Sequence, residues 1–221
     1  MPEAQKHEIE VTWQQVSTVE RFSSVLYPIN VPRLLSLLPI AGFVVPDLVL
    51  RGTPEAGKPL ATKGNTELLI NTDNKTLGVK DKDPERSVNA FQELRKFYLE
   101  QIDPSSVEIQ YVEFDGIGWI RSKDNPVRVF GRLWRDSKPL QRLSSIIGED
   151  ITNYGIEIVP RDVDPNNPRW FHIDIKPYAF SGSKEYHVRW IWREPDSEQF
   201  LKKAMKTTEV LRTMISALEA K

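Results

Sequence analysis

Glu185-Tyr186-His187-Val188-Arg189-Trp190-Ile191-Trp192-Arg193-Glu194-Pro195-Asp196 alternates two kinds of side chain and then stops on an acid–proline–acid triplet. Tyr186, Val188, Trp190 and Trp192 fall on one face; His187, Arg189, Ile191 and Arg193 fall on the other. This period of two reads as a strand with one buried face. Proline near the first helical position, beside an acid, starts a helix, because its missing N–H would have no partner there anyway. The same wording occurs earlier, where Thr76 to Lys80 leads into Asp83-Pro84-Glu85.

Outward from these two points the chain repeats itself. A strand, a short helix, several strands and a long helix run from about Glu8 to Ile102, and again from Val107 to Ala220. The short helices carry similar patches, Ser36-Leu37-Leu38 and Ser145-Ile146-Ile147. The expectation is an α+β fold, internally duplicated, with residues 1–104 and 105–221 as repeats of one compact pseudo-two-fold domain. Both long helices pack on one side of a mostly antiparallel sheet. The element order, though no sequence motif, resembles the duplicated saddle of the TATA-box binding protein.

The first half reads as a strand from Glu8 to Val16, a strand or helical turn from Val19 to Leu26, a helix from Pro32 to Leu38 and a buried strand from Gly42 to Leu50. A hairpin follows, from Glu67 to Asn71 and from Thr76 to Lys80. The long helix is capped by Asp83, with Val88, Phe91, Leu94 and Tyr98 as its buried stripe. Pro104-Ser105-Ser106 joins the halves. In the second half, Val107 to Tyr111 is a strand, and Gly116 and Gly118 suggest a bulge before Trp119. Val127 to Trp134 reads as a strand, Leu140 to Ile147 as a short helix and Gly155 to Val159 as a strand. A hairpin around Ser181-Gly182-Ser183 and a helix from Ser197 to Glu219 complete the half.

The 221 residues include 30 basic and 31 acidic side chains, which argues against a protein devoted to phosphate backbones. There is no cysteine, which excludes disulfides and thiolate chemistry. Leu26 to Leu50 is apolar but is interrupted by Pro28, Pro32, Pro39 and Pro46, so no membrane span is expected. The opening residues lack the apolar core of a secretory signal, and the expectation is a soluble, cytoplasmic protein.

Chemistry is sparse. Gly52-Thr53-Pro54-Glu55-Ala56-Gly57-Lys58 matches most of a phosphate-binding loop, but Pro59 stands where Ser or Thr would hold magnesium, and no helix follows. No Gly-x-Ser-x-Gly elbow is present. His172, Asp174, His187 and Arg189 form a polar cluster on the last hairpin. Register decides what they do: one register brings His187 opposite Asp174, a second opposite Tyr178, and an intermediate one pairs Asp174 with Arg189 as a surface ion pair. Neither catalytic residues nor metal ligands nor a cofactor are assigned.

Read as a strand, Val127 to Trp134 puts Arg128, Phe130, Arg132 and Trp134 on one face, with Arg135 beside them. Aromatics between arginines suit a protein interface. They also suit single-stranded nucleic acid. Five of the six tryptophans lie in the second half, which fits a large core, a contact or a ligand cavity. The favoured function is a non-enzymatic binding or assembly protein that recognises a protein partner, possibly itself, through this Trp/Arg-rich sheet surface. A nucleic-acid binder and a small-molecule carrier with an apolar cavity are the alternatives.

Overall fold

The computed structural model describes residues 9–53, 55–56, 58–101, 107–178 and 184–220. The expected junction at Pro104-Ser105-Ser106, the turn at Ser181-Gly182-Ser183, and Pro54 and Gly57 of the glycine-containing loop lie outside the described residues. Strands β1 (Glu10–Phe22), β2 (Thr62–Lys63), β3 (Thr66–Asn71) and β4 (Thr76–Asp81) come from the first half. Strands β5 (Ile109–Arg121), β6 (Ile156–Ile158), β7 (Trp170–Pro177) and β8 (Glu185–Glu194) come from the second. All join one antiparallel sheet in the order β2-β3-β4-β1-β5-β8-β7-β6. The strands of each half thus lie in mirrored order about a central β1–β5 seam.

The helices are α1 (Val31–Leu37), α2 (Asp47–Leu50), α3 (Pro84–Gln101), α4 (Pro126–Leu133), α5 (Lys138–Ile147), α6 (Ser197–Ala204) and α7 (Thr207–Glu219). The fold is mixed α+β, with the long helices on one side. Helix α3 packs on β1, β3 and β4, α6 packs on β5 and β8, and α7 packs on β1. Asp83 caps α3 by accepting the Arg86 N–H at 2.9 Å, and Asp196 caps α6 by accepting those of Glu198 and Gln199.

Strand alternation sorts the faces. Val16, Thr18, Glu20 and Phe22 of β1, Val112, Phe114 and Ile120 of β5, and Tyr186, Val188 and Trp190 of β8 are buried under the helices. Val88, Phe91, Leu94 and Tyr98 of α3 meet them as the helical spacing requires. Gly116 belongs to this face because a Cβ there would sit 2.5 Å from the Trp13 ring. The bulge that the glycines suggested lies on the partner strand instead: pairing slips between Trp13 and Gln15 of β1, opposite Gly118 and Ile117.

Three other expectations change. Glu8–Val16 and Val19–Leu26 are replaced by the single 13-residue strand β1. The buried strand expected over Gly42–Leu50 is a lone bridge from Val44 to Thr62 followed by α2, because Pro46 sets φ for a helix start. The final helix breaks at Met205 and Lys206 into α6 and α7, which leaves Met205 exposed.

Four carboxylates are buried among these elements. At the end of β4, Asp81 accepts from Thr66 at 2.7 Å and from Arg86 at 2.9 Å. Burial pushes its pKa up, but these donors and the N–H groups of Lys82 and Asp83 hold it below the ordinary carboxylate value. At the end of β8, Glu194 accepts from Arg169 and Lys203, each at 3.0 Å. Glu219 of α7 accepts from Ser122 at 2.7 Å and from Tyr186 at 3.0 Å. Glu20 accepts from Tyr98 and from Arg95 of α3, yet burial wins and raises it from 4.5 to about 7.

The folded chain therefore holds a proton on Glu20 where the unfolded chain has lost it. That contribution to stability is fully present below about pH 4.5 and is lost as pH rises through about 7. Glu20→Gln keeps the neutral form at every pH. Urea denaturation should show the variant gaining on the wild type by on the order of 2–3 kcal/mol between pH 5 and pH 8; parallel pH profiles would rule this out.

Candidate functional site

The segment expected as the arginine–tryptophan strand is helix α4. Asn125 is its cap, accepting the N–H groups of Val127 and Arg128, and Pro126 occupies the first turn. Pro126, Val129 and Phe130 turn inward at helical spacing, and Phe130 meets Tyr186 edge-on at 6.0 Å. Phe130 is fully buried and offers nothing to a ligand. The residues expected to form a binding surface are therefore not part of the sheet.

The remaining residues of that prediction do converge. Arg128, Arg132, Trp134 and Arg135 line a groove of about 640 Å³ between α4 and α5. Gln141 and Ser144 of α5 and the acidic Asp150 also line it. Arg132 donates to the Glu219 carbonyl at 3.2 Å. Arg128 and Arg135 make no ion pair among the described residues, and both are exposed. The Trp134 indole N–H is buried without a hydrogen-bond acceptor.

Beside the groove, α5 is unusual. None of its ten residues is buried, yet Leu143, Ile146 and Ile147 stand 46%, 79% and 59% exposed. An amphipathic helix normally hides such side chains. The first half exposes a comparable set around α2: Ile40, Val44, Leu48 and Leu50.

The helix-free face of the sheet behaves differently, because its charges neutralise one another. Lys80 pairs with Glu67, Arg121 with Glu185, Arg189 with Asp115, Arg193 with Glu113, Lys176 with Asp174, and His172 approaches Glu157. Arg193 also lies over the rings of Tyr111 and Trp170, at 5.0 and 5.2 Å. The polar cluster sits here. The observed register is the intermediate one: Asp174 lies opposite Arg189 and His187 opposite Lys176. The side chains do not pair as expected, since Lys176 takes the Asp174 carboxylate at 2.8 Å and Arg189 turns to Asp115 at 3.2 Å. His187 is held below its ordinary pKa by burial and by Lys176. Among the described residues no group of three or more His, Asp or Glu side chains could hold a metal ion.

The tryptophans divide between surfaces. Trp190 is core and stacks on Trp192, while on the open face Trp119 stacks on Tyr178 and Trp170 lies tilted against His172. No helix among the described residues is long and apolar enough to cross a membrane. Comparison with known proteins finds no matching family model, curated protein or solved structure.

The α4 geometry separates two kinds of side chain. Phe130→Ala should cost about 3–5 kcal/mol by leaving a core cavity. Arg128→Ala and Arg135→Ala should each stay within about 0.5 kcal/mol. Equal costs in urea denaturation would contradict the helical assignment.

Proposed function

We propose that this chain is a non-enzymatic binding or assembly protein, built as a duplicated unit, that docks another protein chain on the outer side of α5. The observation that carries the reading is a helix with no buried residue and three exposed aliphatic anchors. Apolar side chains left exposed at i, i+3 and i+4 on one helix face mark a surface that another protein covers. The sheet face, whose charges pair with one another, offers no comparable apolar set. The mirrored strand order supports the duplication.

A protein suits this surface better than single-stranded nucleic acid. Stacking needs several accessible rings, but Phe130 is in the core and Trp134 alone remains. A second copy of the chain and a different protein are both partners of the required kind, and molar mass separates them.

Light scattering should give a mass above one chain, or affinity capture should return a partner. Ile146→Asp with Ile147→Asp should abolish that complex while shifting folding stability by no more than about 0.5 kcal/mol, since both side chains are exposed. A one-chain mass with no partner recovered, or a complex indifferent to the double substitution, would refute the reading.

A further inference from the structure

We infer that the groove between α4 and α5 is a binding site for a small organic polyanion, a molecule carrying two or more phosphate or carboxylate groups. This goes beyond the docking surface, which uses the outward aliphatic side chains of α5. Three observations meet in the groove.

The first is an excess of donors. Arg128, Arg132 and Arg135 contribute guanidinium groups. Ser144 accepts the Ile151 N–H at 3.2 Å, so its hydroxyl hydrogen is still available to donate. Asp150 is the one charged acceptor on the lining, against three cations. A wall of this kind is complementary to an acceptor-rich, negatively charged molecule. Guanidinium forks are the side chains whose geometry matches carboxylate and phosphate oxygens two at a time.

The second is the Trp134 indole N–H, a buried donor without an acceptor. Such a group costs about 1–3 kcal/mol when left unsatisfied. The Trp134 ring lines the groove, so a turn of that side chain which uncovers the N–H lets a ligand oxygen supply the missing acceptor.

The third is Gly131. It lies inside α4 and lines the groove, and a Cβ built on it would meet no atom within 4 Å. Glycine inside a helix costs about 1 kcal/mol relative to alanine. Neither packing nor a special backbone angle explains it, since its φ is not positive. The missing side chain instead leaves free space in the groove floor. The volume of about 640 Å³ falls in the ordinary range for small-molecule pockets.

Isothermal titration of the whole chain with tripolyphosphate and, separately, with citrate tests the site at low ionic strength. Saturable one-to-one binding is expected for at least one anion, and which one binds tells phosphate from carboxylate recognition. Arg128→Gln with Arg135→Gln should weaken it at least about tenfold by removing two charged contacts. Gly131→Gln, which fills the floor, should do the same, whereas Gly131→Ala should bind within about twofold of wild type and melt higher. No saturable binding of either anion by the wild type would overturn the inference. So would binding that ignores the arginine pair or Gly131→Gln, or binding lost equally in Gly131→Ala. Ile146→Ser with Ile147→Ser, which removes the docking side chains without adding charge, should leave the titration unchanged, so failure of the docking surface and failure of the groove are read separately.

Discussion

The backbone ladder between β1 and β5 is the constraint on which the rest depends. Two 13-residue strands pair antiparallel from Glu10 opposite Arg121 to Phe22 opposite Ile109. Each half contributes four neighbouring strands, and β1 and β5 are the edges at which the two sets join. Pairing them makes one continuous apolar face under α3, α6 and α7, and the core residues form a single cluster across the seam. The Trp13 ring of β1 lies over Gly116 of β5, where a Cβ would collide with it, so the two halves meet directly there.

Ionic chemistry then fixes how the helices leave the sheet. Asp81 and Glu194 end corresponding strands, β4 and β8, and each is buried under a base supplied by the helix that follows: Arg86 of α3 and Lys203 of α6. A buried carboxylate without such partners would be strongly destabilising, so the pairs set the exit direction of both helices. The open face, in contrast, spends its charge on itself. Arg128 and Arg135, without ion-pair partners among the described residues, are left at α4 and in the connection to α5, outside the sheet, and the proposed anion site is there.

Much of the fold could be read from the chain. The alternation in β8, the acid–proline starts of α3 and the last helical region, and the helical stripe of α3 are all local signals, and all hold in the structure. The segment from Val127 to Trp134 misled, because eight residues of mixed apolar and basic character satisfy a period of two as well as a period near four. The deciding signal was present in Asn125-Pro126, a cap followed by proline, with Val129 and Phe130 adjacent as a helix permits and a strand does not. Four of the five residues named for binding nevertheless share one groove, since Arg128, Arg132 and Arg135 recur at helical spacing. Not legible were the α5 residues of the groove lining and the Glu20–Tyr98–Arg95 contact, which joins residues 78 positions apart. Such tertiary contacts have no local pattern. The register of β7 with β8 was equally open, because the seven residues from Tyr178 to Lys184 allow several turn lengths.

The shared seam is tested most directly by native-state hydrogen exchange read residue by residue. If one core spans both halves, amides of β1 and β5 at the seam, such as Val16 and Phe114, exchange only through global unfolding, with one common free energy. Seam amides that open at lower free energy than the outer hairpins of β3–β4 and β7–β8 would contradict the account, since the halves would then be two independent bodies that merely touch.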